Sequence, residues 1–506
     1  MEVHRVRVHP ASARLPREAQ LAWKLAAFAA GASALGTDAE VAEMVAGRIV
    51  DNAAVALAAL DRKPVAVARA MALAHPRPAG ATLFGMPAEA TVHAEWAAWA
   101  NGTAVRELDF HDTFLAADYA HPADSIPPLI AVAQQKEADG ARLLTAIAVA
   151  YEVHVSLVKA INLHAHKKDH VAHLAPAIAA GLGALLGLET AVVYHAVNQA
   201  VHLSVSTRQS RKGDITSWKA SAPAWAGKLA IEAVDRAMRG EGAPNPIYEG
   251  EDGVIAWMLA GPDAEYLVPL PSPGERPRAI LETYTKAHSA EYQAQALIDL
   301  AFDLRPRLDT RDLQRVREVV VRTSHHTHTV IGSGSNDPEK YDPDASRETL
   351  DHSIMYILAV ALEDGLWHHD ASYAPERARR PSTVALWRKI RTVEDPSWTA
   401  RYHEADPARR AFGGRVDVQL DDGRVVSEER PVADAHPNGR HPWRWPDYVR
   451  KLEALTEGRL PESARREFLD LARGLATLRP DQVRQLNPAL PPGALLLEPA
   501  GAGGIF

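Results

Sequence analysis

The sequence predicts a mainly α protein: a large all-helical domain completed by its C-terminal helices, with a smaller α+β domain inserted between. Three observations carry this. Apolar residues recur three and four apart through the first half of the chain, which is helical spacing. A Pro/Gly-rich break follows at 261–277, and β-branched, strand-like runs appear beyond it. With 506 residues, the chain also exceeds what one hydrophobic core usually serves. The expected division is 1–270 with 437–506 as the helical domain, and 271–436 as the α+β domain.

Each element has its own signal. Thr37-Asp38-Ala39-Glu40 reads as a capping box opening a helix. Val41, Val45, Ile49, Ala53, Ala56 and Leu60 then trace one buried face, and Leu143, Leu144, Ile147 and Tyr151 another. Ala224, Leu229, Ile231 and Val234 mark a third helix, just after Trp218-Lys219. Beyond the break, Val316–Arg322 reads as a strand, and 416–426 as a hairpin with Asp422-Gly423 at its turn. Helical spacing near Gln293–Phe302 and His352–Glu363 accompanies the strands. It returns at Pro461–Leu478, a piece too small to stand alone and therefore expected on the first domain. The tail Gly501-Ala502-Gly503-Gly504 is expected to be mobile.

Composition narrows the chemistry. The chain has no Cys, which excludes disulfides, thiolate nucleophiles and Cys-ligated zinc or iron–sulfur clusters. A net charge of -8 and a pI near 6.3 give no basic footprint for nucleic acid. No uninterrupted apolar run reaches the ~18 residues of a membrane span, and the N-terminus lacks a signal-peptide pattern. No membrane association is expected, and a cytoplasmic location is the default expectation.

One stretch stands out for proton chemistry. Between Asp109 and Asp124 the chain packs four carboxylates, two imidazoles and two hydroxyls, among them His111, Asp112, Thr113 and His121. A base, an acid and groups to hold both are what proton transfer needs. Asn101-Gly102 before it and Pro127-Pro128 after it suggest a loop, and a solvated, turn-rich loop fits the same residues. Four further clusters follow. His164, His166, His170 and His173 lack any paired-ligand spacing for a metal. Arg208, Arg211, Lys212 and Lys219 precede an apolar helix; cations at a helix start favour a bound anion beside them, although Lys212 reads as a solvated charge. Tyr284–Tyr292 lies just past the break, where it can close over the helical domain or simply connect. His325, His326 and His328 at a strand end read as exposed, with Arg347–Tyr356 further on.

Taken in order, Asp109-Phe110-His111-Asp112-Thr113, His121-Pro122, Asp169-His170, Trp218-Lys219, His288–Gln293 and Asp351–Tyr356 resemble the signatures of the MmgE/PrpD family over nearly the whole chain. The resemblance implies a helical domain carrying an α+β lid, a homodimer, and no metal or other cofactor. It implies a site built from Asp109, Thr113, His121, His170, Lys219 and Tyr356, with Lys286 and His288 from the lid. The activity implied is dehydration of a tricarboxylate, 2-methylcitrate to 2-methyl-aconitate in propionate catabolism. Decarboxylation of cis-aconitate to itaconate and dehydration of citrate are the alternatives. Expulsion of hydroxide needs a general acid, and the substrate carboxylates need cations. One of His121 and His170 would be base and the other, or Tyr356, acid; Asp109 would orient an imidazole; Lys219, Lys286 and Arg208 would bind carboxylates. Two departures stand against the family pattern: the lid motif reads Lys286-Ala287-His288-Ser289, and Ala123 replaces a hydroxyl residue. From other classes, a silent scaffold binding organic acids and a His-based metallohydrolase remain as alternatives.

Overall fold

The Ala-rich helical faces stack against one another in the computed structural model, which describes residues 1–495 except 33, 205, 212–214, 309 and 405, together with 504 and 505. Strand β1 (Glu2–Arg7) pairs antiparallel with β2 (Glu265–Leu270), tying the N-terminus to the end of the helical body. Between them run α1 (Leu21–Ala32), α2 (Ala39–Ala59), α3 (Ala94–Glu107), α4 (Gly140–Ala160), α5 (Val171–Leu186), α6 (Thr190–Leu203) and α7 (Trp218–Met238). Small residues let these helices approach. Gly102 of α3 faces α7 so closely that a Cβ there would lie 3.1 Å from the Cβ of Ala224. Asn101-Gly102 is therefore inside a helix rather than at a loop entry, and the Asn101 side chain accepts from Phe84 N at 3.0 Å.

The expected capping box at Thr37 does not form. The N-cap is Asp38, and its carboxylate is drawn to Arg276 and Arg278 while Glu40 pairs with Arg278. Guanidinium partners outcompete the backbone amides for both acids. By length and composition α4 could cross a membrane, yet 89% of its apolar window is buried against the rest of the protein.

The lid has its own core. Helices α8 (Tyr292–Leu304) and α9 (Ile354–Asp364) pack with a four-stranded sheet: β3 (Val316–Thr323), β4 (Ile390–Glu394), β5 (Gly414–Leu420) and β6 (Val425–Arg430). The order is β4-β3-β5-β6, with β3 and β4 parallel and the other pairs antiparallel. At the β5–β6 turn Gly423 takes φ +87°, a left-handed conformation that suits glycine. The chain then returns to the body as α10 (Trp445–Leu455) and α11 (Glu462–Arg473), whose apolar residues join the same core as α1–α7. Gly47 of α2 makes this docking possible, since a Cβ there would sit 2.8 Å from the ring of Tyr448. The body, the lid and the returning helix α10 all meet at residues 106–113.

Candidate active site

Helix α3 ends at Glu107, and two residues later Asp109 takes φ +48°, a strained value for a residue other than glycine. Four side chains from elsewhere hold this turn. Ser289 donates to Leu108 O at 2.7 Å, and Arg347 to the same carbonyl at 3.2 Å. Lys286 donates to Asp109 O at 3.0 Å, and Lys451 of α10 to Phe110 O at 2.6 Å. The Asp109 carboxylate is thereby presented to three cations: Lys286 at 2.6 Å, Lys219 at 3.3 Å, and Arg106. Burial opposes its charge, yet Arg106, Lys219 and Lys286 hold the carboxyl well below the usual carboxylate range. Burial also draws the fully enclosed Lys286 ammonium below its ordinary value, although Asp109 resists this.

A second carboxylate completes the cluster from the lid. Lys219, in the first turn of α7, donates to both oxygens of Asp351 at 2.8 and 2.7 Å. A cation at a helix start is unfavourable alone; two carboxylates, Asp109 and Asp351, compensate it here. Asp351 also receives the Nδ1 of His352 and lies 3.6 Å from Arg347. Nearby, burial pushes the Glu291 carboxyl up to about 7 against the pull of Lys286.

The imidazoles form a chain on the body side. His121 Nδ1 lies 2.7 Å from Asp112 O, an acceptor, so Nδ1 carries the hydrogen. Its ring stacks on His111 at 5.1 Å and meets His170 edge-on at 5.2 Å. Burial, then Arg106 and Lys286, push His121 well below the ordinary imidazole value. His170 stands 2.7 Å from Asp169, which Arg211 and Ser210 also hold; its Nε2 is buried with no hydrogen-bond partner among the described residues. Burial lowers His170 too, with Asp169 resisting. Asp112 accepts from Tyr151 and Ala123 N, so the segment carrying His121 is fixed at both ends.

A cavity of about 860 Å³ opens beside this cluster, between the body and the lid. Lys167, Lys168, Arg208 and Arg211 line it from the body and Lys340 from the lid, against one acid among the described residues, Asp337. Two of these residues touch the buried cluster. Arg211 holds Asp169 behind His170, and Lys340 donates to His352 O at 2.7 Å.

The structure therefore brings together Asp109, His121, His170, Lys219 and Lys286. Thr113 lies among them, but its hydroxyl donates to Ala120 O and its backbone bridges Tyr284, which makes it a staple of the loop. Arg208 sits at the cavity on the Tyr119 hydroxyl. Two expected residues are not brought there. Tyr356 is buried in the lid core beside Trp387, its hydroxyl donating to Ser372 O. His288 is pinned inside the lid, 2.8 Å from Asp299. His326, expected to be exposed, stacks on Tyr402 and faces His164 at 5.4 Å, with Nε2 buried. Lys212 and residues 501–503 lie outside the described residues. Sequence reasoning did not give roles to Arg106, Asp351, His352, Glu291 or Lys451. Arg106 stands one helical turn before Asp109, and Asp351-His352 is a carboxylate–imidazole dipeptide, so both carried a signal; Lys451 carried none.

Two sets of groups have the proximity a metal ion needs: Asp109, His111 and His121, and Asp109, Asp351 and His352. The cations already crowding Asp109 oppose a further positive charge there and favour an anion.

The chain is similar to known proteins over most of its length. Residues 23–267 match the family model described as MmgE/PrpD N-terminal domain, and residues 288–477 match the MmgE/PrpD C-terminal domain. The chain is 27% identical over 409 residues to 2-methylcitrate dehydratase of Salmonella typhimurium, covering 76% of this chain and 79% of that protein. It is 27% identical to the mitochondrial 2-methylcitrate dehydratase of Yarrowia lipolytica, covering 71% and 70%. For the 2-methylcitrate dehydratase of Escherichia coli, the identity is 27% with 70% and 73% covered.

Proposed function

This chain belongs to the MmgE/PrpD family, and from that premise we propose that it is a dehydratase removing water from 2-methylcitrate to give 2-methyl-aconitate in propionate catabolism. The observation that carries the reading is the surplus of buried cations: Arg106, Lys219, Lys286 and Arg347 surround two carboxylates, Asp109 and Asp351. Such a surplus beside a cation-lined cavity suits a polycarboxylate. The names of the relatives support the reaction class and the substrate.

The chemistry follows from these groups. Loss of the carbon-bound proton builds negative charge on the adjacent carboxylate, and Lys219 and Lys286 stabilise that charge in a site shielded from water. The leaving hydroxide needs a proton, which the His121–His170 pair supplies once the substrate's carboxylates, bound beside it, offset the burial and the cations that otherwise keep both imidazoles neutral. In the reverse hydration the same pair accepts it. Acid–base groups of this kind contribute roughly 10²–10⁴-fold each.

The test is turnover of 2-methylcitrate by the purified protein, with citrate and cis-aconitate alongside, following the absorbance of the new alkene and released CO₂. Loss of 2-methylcitrate with growth of an unsaturated tricarboxylate is the expected result. CO₂ from cis-aconitate instead would move the reaction to decarboxylation within the same family. No reaction on any of the three would overturn the substrate class.

A further inference from the structure

The Asp109 carboxylate is the common member of two tight clusters. Its oxygens lie within 4.8 Å of the His111 and His121 imidazoles, and within 4.8 Å of the Asp351 carboxylate and the His352 imidazole. The first set comes from the body and the second from the lid. Resting on the dehydratase reading above, we infer that His352 is a catalytic residue, the base that takes the carbon-bound proton while the His121–His170 pair serves the leaving hydroxyl.

The surroundings of His352 support this. Asp351 accepts from the His352 Nδ1, which leaves Nε2 as the basic nitrogen, and Nε2 has no partner among the described residues. The Asp351 carboxylate is placed to stabilise the imidazolium once the proton arrives, as a carboxylate does behind a catalytic histidine. Lys219 stands 3.4 Å from Nδ1 of the same ring and binds Asp351, so a substrate carboxylate drawn to Lys219 would lie against this imidazole. The His352 side chain keeps 11% of its surface while Asp351 keeps none and Lys219 3%. Its carbonyl is also held by Lys340, a wall of the cavity. The segment is rigid, because Ser353 caps α9 and donates to Lys340 O at 2.7 Å. Burial and then Lys219 push the imidazole down to about 4, so it is unprotonated and ready to accept at neutral pH.

The step balances. The C–H bond breaks and its proton goes to His352 Nε2, while its electron pair becomes the new π bond. The C–O bond breaks, and the departing hydroxide leaves as water with the proton that the His121–His170 pair has taken up on binding the tricarboxylate, which returns the pair to its neutral form.

The experiment compares wild type, H352Q and H352A on 2-methylcitrate, reading kcat, KM, exchange of the substrate proton with D₂O, and the rise in Tm that a tricarboxylate produces. Both variants should lose about 10²–10⁴-fold in kcat and lose proton exchange, with KM and the ligand-induced Tm rise largely kept. Added imidazole should restore part of the H352A rate, which a merely structural role would not allow. A variant with near-wild-type kcat overturns the inference, and so does a loss that imidazole does not rescue in a protein that still binds tricarboxylate. Both outcomes leave the dehydratase reading standing, because wild type turns over. A wild type that dehydrates no hydroxytricarboxylate overturns that reading, and the base assignment falls with it.

Discussion

Asp109→Asn isolates the electrostatics of the site. Asn tolerates the left-handed backbone at this position about as well as Asp, so the turn keeps its shape and only the charge is lost. Lys219 retains Asp351, but Lys286 is completely buried, and its remaining partner in the cluster is the carbonyl of the residue at 109. Removing one partner of a buried ion pair costs about 3–5 kcal/mol. That loss lowers the lysine's folded-state proton affinity further, below a value that burial has already depressed. A depressed lysine costs most at low pH, and the cost fades as pH rises towards the unfolded value. The destabilisation should therefore be largest near neutral pH and shrink towards pH 9.5. With an unfolding entropy of about 1 kcal/mol/K for a chain of 506 residues, the Tm should fall by about 3–5 °C at neutral pH. The assay is thermal unfolding of both proteins at a fixed scan rate from pH 7 to 9.5. A Tm gap that stays constant with pH, or no gap at all, would refute the claim that Asp109 is the counter-ion of Lys286.

Two other outcomes are expected. His121→Ala and His170→Ala should each lower kcat by about 10²–10⁴-fold with the fold intact by circular dichroism; near-normal turnover in either removes that residue from the mechanism. The second concerns acid: burial pushes His173, His352 and His436 down to about 4, so the unfolded chain binds protons that the folded one does not. Stability is then full above pH 6.5 and is lost as pH falls towards 4, by about 2 kcal/mol for each such group at pH 5. A denaturation midpoint that does not change from pH 7.5 to 5 would contradict this.

Much of this was legible because it is local. Helical spacing marked α2, α4 and α7, and Asp422-Gly423 marked the lid hairpin. The dense polar run from Asp109 to Asp124 pointed to the site, and Lys219 was singled out by a charge that did not suit its helix. What escaped depends on contacts distant in sequence. β2 lies inside the Pro/Gly-rich break and is a strand because β1 pairs with it from more than 250 residues away. Asn101-Gly102 reads as a loop unless Ala224 is known to press against it. Tyr356 sits in a motif whose neighbours Asp351 and His352 do reach the site. But α9 turns the tyrosine inward, where Trp387 and Ser372 hold it. A motif locates a segment; the helix phase decides which of its side chains faces the chemistry.

That phase also explains how the site couples to the two halves of the protein. Lys219 and Asp109 come from the body, Lys286 and Asp351 from the lid side, and each cation pairs with a carboxylate of the other half. The ion pairs that neutralise the site are thus the same contacts that hold the lid down. A tricarboxylate entering from the cavity would offer Lys219 and Lys286 new partners, and Asp109 and Asp351 would have to yield part of theirs. Substrate charge and lid position are then linked through shared cations, so a ligand that binds the lysines better than the two aspartates do must loosen the body–lid contact. Lys451, which donates to the carbonyls of both Phe110 and Lys286 at 2.6 and 3.1 Å, keeps the two backbones in register without using a site carboxylate. It is a contact that can persist while the ion pairs exchange, and it comes from α10, the first helix that the chain adds after the lid is complete.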